Sequence, residues 1–380
     1  MFTLTETQRD IRDLVRRFTD EQVAPRVVEY TREGRLPQDL VDQAAELGII
    51  GGVVPAEYGG AGLDHLTWAI CVEEIARYCT ALAAVVGYPS SLAGQGLLRW
   101  GTEAQKEEFL RPLASGECYA GVCITEPDSG SDAAAMSSTA TPDGDDFVLS
   151  GTKTWISNAN IARWLLVFAT VDRSLGKEGI TAFLVDRDAP GVETRPIHNK
   201  LSAWASDTGE VFLDAVRVPA SRVLGGVGGG WKVLLASVGS GRVHVAARSV
   251  GIAQGCLELS TEYARNRVAF GRPIGRFQHV QGMLAEMAVA TESARLLVWR
   301  AAAELDEDPA AGPYFPSLAK WHASRTAMRA ATDAVQIHGA YGLSDEYHVA
   351  RLFRDAKMQE IVDGTSEIQQ TIIAQHLLSP

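Results

Sequence analysis

The chain has 380 residues, of which 46% are hydrophobic, and this length and composition predict two or three globular domains, each with its own core. Its formal net charge of −12 argues against a surface that binds nucleic acid or an anionic membrane, because phosphate binding needs clustered Lys and Arg. The five cysteines form no Cys-x-x-Cys pair, and their odd number fits a reducing compartment better than a disulfide framework.

The N-terminus opens directly into a charged amphipathic helical pattern, without the basic and then apolar leader of a secretory or transit segment. No run of 18 apolar residues free of charge occurs, so no membrane span is predicted. We therefore expect a cytoplasmic protein, and we predict no metal site.

Helical periodicity dominates from residue 6 to about residue 115, with turns at Pro25, Pro37 and Pro112, which predicts an N-terminal all-α domain over residues 1–117. Residues 118–225 form short β-branched or aromatic runs separated by Gly, Asp and Pro, which predict a β domain. After a glycine-rich loop, helical periodicity returns over residues 226–380, in segments centred near 245, 285, 325 and 370. The predicted fold class is α+β, in the order α, β, α.

Two motifs in the β domain have the chemistry of a ligand site. The segment from Cys123 to Asp132 is a strand end followed by a turn rich in hydroxyls and N–H groups, suited to a polar ring edge and a phosphate, although an ordinary loop fits equally well. In Gly151 to Asn158, alternation along a strand puts Trp155 and Ser157 on one face. An aromatic wall beside a hydroxyl suits a planar ring, and a core tryptophan is the simpler alternative.

Near the C-terminus, Arg354 to Ile361 has helical composition, Gly364 breaks the helix, and the following Thr and Ser begin another. This leaves the carboxylate of Asp363 on a tight connector between two helices. The simple alternative is that Asp363 caps the second helix.

These motifs, in this order over essentially all 380 residues, resemble those of the acyl-CoA dehydrogenases. The resemblance implies a helical N-terminal domain, a β-barrel-like middle domain and a C-terminal four-helix bundle. It also implies FAD as cofactor, and a carboxylate that removes the α-proton of an acyl thioester while the β-hydrogen passes as hydride to flavin N5. Asp363 stands at the position of that carboxylate.

The resemblance further implies contacts for the cofactor and the substrate. In the middle domain, the implied FAD contacts are Cys123, Thr125, Ser131, Trp155 and Ser157. In the C-terminal helices they are Gln336, Gly339, Ala340, Thr365 and Glu367, while Arg267, Phe270 and Gln278 are implied to reach the FAD of a neighbouring subunit. We therefore expect a homo-oligomer, a dimer of dimers (homotetramer) being favoured. Gly241, Arg242 and Ser131 are implied to flank the thioester and its pantetheine arm.

The chain departs from the family pattern at the base itself. The family usually has Glu after an aromatic residue where this chain has Val362 and Asp363. Some branches instead place a catalytic Glu directly before the arginine, but this chain has Gly241 there, so Asp363 is the only base that the motifs offer. Ala340 replaces the second glycine of a flavin-contact turn. Members that handle dicarboxylyl thioesters have an arginine at the position of Ala83, so a free distal carboxylate is not expected.

Three questions stay open at this point. An aspartate base also occurs in nitroalkane oxidase of the same superfamily, which makes a flavin-dependent oxidase the main alternative, and a catalytically degenerate scaffold protein is a second. The substrate is an acyl-CoA or an acyl group on a carrier protein. The electron acceptor is an electron-transferring flavoprotein or O2.

Overall fold

The computed structural model describes residues 3–308 and 312–379. The first part is helical, as predicted, and α1 begins with a capping box in which the side chains of Thr5 and Gln8 each accept from the other's backbone N–H. The N-terminal helices are α1 (Glu6–Phe18), α2 (Val27–Glu33), α3 (Gln38–Glu46), α4 (His65–Ala76), α5 (Thr80–Gly87), α6 (Leu92–Trp100), α7 (Glu103–Gln105) and α8 (Arg111–Ala114).

The stretch Thr80–Trp100 is apolar and long enough to cross a membrane on length and composition alone. It nevertheless belongs to the core, because 78% of its apolar window is buried inside the protein. It contains α5 and α6, which pack against the first long helix of the C-terminal part.

The middle part is an eight-stranded, mostly antiparallel sheet, with strand order β6-β7-β3-β2-β4-β5-β8 and β1 parallel to β4. Its two longest strands, β3 and β7, pair with each other along their length, with register shifts after Leu149 and after Lys153. The strands are β1 (Ala120–Cys123), β2 (Thr139–Asp143), β3 (Asp146–Ser157), β4 (Trp164–Thr170), β5 (Ile180–Asp186), β6 (Val192–Pro196), β7 (Thr208–Pro219) and β8 (Val223–Leu224).

The C-terminal part is again helical, and each of the four segments predicted there is a helix. A short hairpin, β9 (Val268–Ala269) with β10 (Arg272–Pro273), follows the longest helix. The helices are α9 (Gly230–Asn266), α10 (Gln278–Glu307), α11 (Tyr314–His338), α12 (His348–Gln359) and α13 (Ser366–Leu378).

Small residues allow α9 and α11 to approach closely in the core of this bundle. Ala253 on α9 and Ala327, Ala331 and Ala334 on α11 are fully buried in one cluster. The connector between α12 and α13 is thereby held near both helices. The proposed domain divisions at 117/118 and 225/226 fall in the connectors between α8 and β1 and between β8 and α9, and they stay predictions.

Candidate active site

The connector after α12 holds Asp363 in an unusual backbone conformation. Asp363 has φ +53°, in the left-handed region that few residues other than glycine adopt, and Gly364 follows with φ +93°. The carbonyl of Gly364 accepts two hydrogen bonds, from Lys320 Nζ at 2.8 Å and from Gln369 Nε2 at 2.8 Å. Side chains from α11 and α13 thus clamp the peptide that follows Asp363.

The alternative that Asp363 merely caps the second helix is wrong. The residue that caps α13 is Thr365, whose hydroxyl accepts from the N–H of Ile368 at 3.4 Å. The Asp363 carboxylate points instead towards α9. If Gly241 carried a Cβ atom, that atom would lie 2.8 Å from Asp363 Oδ2 and 3.1 Å from Leu92 Cδ2. The absence of a side chain at residue 241 therefore makes room for the carboxylate.

Three buried cations surround this carboxylate. Burial raises the pKa of Asp363 above its ordinary value, while Arg248, then Lys320 and Arg242, act to lower it. Arg242 and Arg248 are each 6% exposed, and Lys320 is fully buried. The pKa of Lys320 is lowered to about 8, chiefly by burial. Sequence reasoning found Arg242 but missed Arg248 and Lys320, because nothing in their neighbouring residues distinguishes them from arginines and lysines on a helix surface.

Tyr88 is a further residue that sequence reasoning missed. Its ring is buried, and the pKa of its hydroxyl is raised by burial and then by the charge of Asp363, while the Ser157 side chain acts in the opposite direction. The Tyr88 hydroxyl is therefore close enough to interact electrostatically with the Asp363 carboxylate and with the Ser157 side chain of β3. It links the C-terminal connector to the middle sheet.

The segments expected to hold the flavin lie at the end of the middle sheet that includes Ser157. Thr125 is half-buried and its carbonyl accepts from the Thr154 N–H at 2.9 Å, while Ser131 is exposed. A Cβ atom added at Gly130 would have nothing within 4 Å, so the turn leaves open space beside Ser131. Cys123 lies on β1 with its side chain in the sheet core, which leaves only its backbone for a ligand.

Trp155 stands out of β3 at an irregularity. Pairing with β7 shifts register between Lys153 and Ile156, and Trp155 has φ +59° and is 60% exposed. The core-tryptophan alternative is therefore wrong. The exposed indole, the half-buried Ser157 and the hydroxyls of the turn provide a flat apolar face with hydrogen-bonding groups around it, which fits a flavin.

A buried ion pair joins the two flavin segments. Lys153 Nζ lies 2.8 Å from Glu126 Oε1, with the two side chains 0% and 1% exposed. Glu126 also accepts from the N–H of Ser138 at 2.9 Å and from the hydroxyl of Ser137 at 2.6 Å. Burial alone would raise the pKa of Glu126, but the Lys153 charge and these hydrogen bonds lower it to about 2.

Most of the remaining predicted cofactor residues are exposed. Phe270 is 95% exposed with φ +49°, and the Arg267 guanidinium lies 5.6 Å from the ring centroid of Tyr341. Also exposed are Gln278 at the start of α10, Gln336 in the last turn of α11, Gly339, Ala340, and Glu367 in the first turn of α13. Thr365 is half-buried beside the connector.

Comparisons with known proteins agree over the whole chain. Family descriptions match residues 5–117 (acyl-CoA dehydrogenase, N-terminal domain), 121–216 (middle domain) and 228–378 (C-terminal domain). The mitochondrial short-chain specific acyl-CoA dehydrogenase of Bos taurus is 40% identical over 377 residues, covering 99% of this chain and 91% of its own length.

Two solved structures superpose closely. The butyryl-CoA dehydrogenase of Megasphaera elsdenii has a TM-score of 0.96 at 38% identity, covering 100% of both chains. The prolyl acyl carrier protein oxidase AnaB has a TM-score of 0.95 at 32% identity, covering 99% of this chain and 100% of its own.

The α, β, α order, with a carboxylate held between two C-terminal helices, defines the three-domain fold of a flavin-dependent oxidoreductase. The chain belongs to the acyl-CoA dehydrogenase family. Membership of this family supports acyl-CoA dehydrogenation as the reaction, and members of the family use FAD as cofactor.

Proposed function

We propose that this enzyme catalyses the α,β-dehydrogenation of an acyl thioester, with Asp363 as the base that takes the α-proton. The observation that carries the proposal is the placement of Asp363 on a clamped connector, directed at α9 and surrounded by cations. Flavin, when bound, supplies the acceptor for the β-hydride. The residues of this chain then have three tasks, which are to take the proton, to stabilise negative charge and to hold the two reactants.

Proton removal uses the ionised form of Asp363. Burial raises its pKa in the direction that suits a base working near neutral pH, while the nearby cations keep the carboxylate available in its charged form. An aspartate reaches about 1–1.5 Å less far than a glutamate, and a misplacement of about 1 Å can cost about 10²-fold in rate. The clamp on Gly364 is the device that holds the shorter base in one position.

Negative charge develops on the thioester oxygen as the α-proton leaves. No acceptor for the Asp363 N–H is found among residues 3–308 and 312–379, so this donor is available to the substrate oxygen. Arg242 and Lys320 add positive charge in the same low-dielectric surroundings, where electrostatic stabilisation is strongest.

The cofactor would be held by hydroxyls and an aromatic face of this chain, together with residues of a second chain. Thr125, Ser131, Trp155 and Ser157 are the local groups. The exposed loop with Arg267 and Phe270 would reach the FAD of a neighbouring subunit, since Phe270 is 95% exposed and so makes little contact within its own chain. This arrangement requires a homo-oligomer, for which we propose a dimer of dimers in the cytoplasm.

The carrier of the acyl group and the electron acceptor are the finer parts of the proposal. The chain resembles CoA-dependent dehydrogenases and also a carrier-protein-dependent oxidase, so a thioester on phosphopantetheine is the chemistry that they share. An electron-transferring flavoprotein would receive electrons from a dehydrogenase, and O2 from an oxidase.

Anaerobic mixing with substrate tests the reaction class. We expect acyl thioesters to bleach the flavin absorbance in a single turnover, whereas nitroalkanes of similar size leave it unchanged. Bleaching by nitroalkanes alone would establish the oxidase alternative, in which Asp363 is also the base. Absence of bound flavin in the purified protein would instead favour a scaffold role.

A further inference from the structure

The surroundings of Asp363 contain more buried positive charge than the chain neutralises. The Nε atoms of Arg242 and Arg248 have no hydrogen-bond partner among the described residues, and neither guanidinium forms an ion pair there. Lys320 Nζ bonds a neutral carbonyl, that of Gly364. A buried charge without a counter-ion is unfavourable, so this arrangement needs a reason.

Among the other described residues, several largely buried cations pair with carboxylates, and the buried Arg351 instead donates to the Tyr78 carbonyl at 2.7 Å. Three further cations that are largely buried all have a carboxylate oxygen within 3 Å. The pairs are Arg77 with Glu258 at 2.7 Å, Lys153 with Glu126 at 2.8 Å and Arg295 with Glu73 at 2.9 Å. Arg242 and Arg248 differ from all of these cations in that neither guanidinium has a hydrogen bond or an ion pair among the described residues.

Arg248 lies on the face of α9 that borders the site. Residues 241, 244 and 248 have the i, i+3, i+7 spacing of one helix face. Gly241 faces the Asp363 carboxylate, and His244 Nε2 lies 2.9 Å from the Ala83 carbonyl of α5. Side chains on a helix lean towards its N-terminus, so the Arg248 side chain runs from about 10 Å along the axis back towards Gly241.

Arg248 forms no ion pair with the carboxylates near it. Asp363 and then Asp355 act on it electrostatically, but the Asp355 oxygens are taken by the Thr80 hydroxyl at 2.6 Å and the Ala203 N–H at 2.9 Å. His244 is kept neutral, because burial and then the Arg248 charge hold its pKa well below the ordinary value. Arg248 thus carries a charge that is 94% buried and has no ion-pair partner among the described residues, on the face of α9 that also carries Gly241.

We infer that Arg248 binds an anionic group on the acyl part of the substrate, so that the preferred substrate is the thioester of an acid with a second negative charge, such as an ω-carboxyacyl thioester. This inference rests on the proposed function and specifies its substrate class. It reverses the expectation drawn from Ala83, because the cation comes from α9 and not from α5. A phosphate of the carrier is not the ligand, since the long pantetheine arm separates it from the carbon that Asp363 deprotonates.

The test compares pairs of pantetheine thioesters, which represent CoA and carrier proteins alike. Five-carbon ω-carboxyacyl and straight-chain acyl pantetheine are each mixed anaerobically with the FAD-loaded protein. We expect kcat/KM to be about 10–100-fold higher for the anionic substrate. A factor of this size corresponds to the free energy of a hydrogen bond to a charged group. Arg248→Gln should abolish that preference, Arg248→Lys should retain part of it, and the same change at the exposed Arg325 should leave it intact.

Stability gives a second readout that a merely structural arginine would not produce. Because Arg248 forms no ion pair among residues 3–308 and 312–379, Arg248→Gln should leave Tm unchanged or raise it, and an ω-carboxyalkyl pantetheine thioether should raise the Tm of the wild type but not of the variant. A lowered Tm with no effect on thioether binding would assign Arg248 a structural role and overturn the inference.

The two proposals fail in different ways. If straight-chain and ω-carboxyacyl thioesters bleach the flavin equally well in wild type and Arg248→Gln, the anionic substrate class is wrong and the dehydrogenation stands. If neither bleaches it, the proposed function is wrong, and thioether binding still decides whether Arg248 holds an anion.

Discussion

The Oδ2 atom of Asp363 lies 2.8 Å from the position that a Cβ atom on Gly241 would occupy. The carboxylate therefore uses space that exists because residue 241 has no side chain. The base and the glycine form one unit, although 122 positions of sequence separate them.

Gly241→Ala should displace the base. The added methyl group would clash with Asp363 Oδ2 at 2.8 Å, and Leu92 Cδ2 would lie only 3.1 Å from it. We expect the rate constant for flavin reduction by a thioester to fall by about 10²-fold, as for a base moved by about 1 Å, with FAD content unchanged. Gly239→Ala is the matched control, because a Cβ atom there has nothing within 4 Å. Equal rates in the two variants would contradict the assigned geometry.

The pH dependence of flavin reduction should show two limbs. The rate should rise with pH as Asp363 ionises, at a pKa raised above its ordinary value by burial, because only the carboxylate accepts a proton. It should fall as Lys320 loses its proton near its pKa of about 8, because the cation that stabilises the developing negative charge is lost. Stopped-flow measurements of this rate from acidic pH to about pH 10 would record both limbs.

Lys320→Met should remove the alkaline limb and move the acid limb to higher pH, since one of the charges that lower the Asp363 pKa is gone. Gln369→Leu is its control. That change removes the other hydrogen bond to the Gly364 carbonyl without altering charge, so the rate should fall while both limbs keep their positions. If both variants moved the acid limb alike, the role of Lys320 would be positional only.

Lys153→Met should destabilise the flavin end of the sheet by about 3–5 kcal/mol, because it leaves the Glu126 carboxylate buried and unpaired. The double variant Glu126→Gln/Lys153→Met should recover part of that loss, since no buried charge remains. Urea unfolding monitored by Trp fluorescence, together with the FAD content, measures both effects. Additive losses would show that the two residues act independently.

Arg267→Ala should weaken both FAD retention and assembly if this exposed arginine reaches the cofactor of a neighbouring subunit. We expect the FAD dissociation constant to rise about tenfold or more, as when a hydrogen bond to a charged group is lost. Arg265→Ala, an exposed arginine in the last turn of α9, is the control. An unchanged dissociation constant and an unchanged sedimentation coefficient would place the FAD contact elsewhere.

The α, β, α order was predictable, because each part has a local period and punctuation that the sequence displays. The connector with Asp363 was also predictable, since Gly364 and the capping Thr365 lie beside it in the chain. The exposure of Trp155 was not predictable from alternation alone, because it depends on a register shift against β7 that is set by a strand far away in sequence.

The charged surroundings of the base were the least predictable part of the site. Lys320 and Arg248 lie on helices 43 and 115 positions before Asp363, and only the packing of α9 and α11 brings them to it. Tyr88 likewise comes from the N-terminal part. These residues belong to separate helices with no shared motif, so their meeting is a property of the tertiary fold.

The most direct test of Asp363 as the base is single-turnover flavin reduction by Asp363→Asn. The variant should bind FAD with the spectrum of the wild type, because Asp363 is not among the predicted FAD contacts, which in this part of the chain are Thr365 and Glu367. Mixed anaerobically with a thioester that bleaches the wild type, it should show a rate lower by at least about 10²-fold, as expected when a general base is lost. Bleaching at the wild-type rate would contradict the assignment of Asp363 and the mechanism built on it.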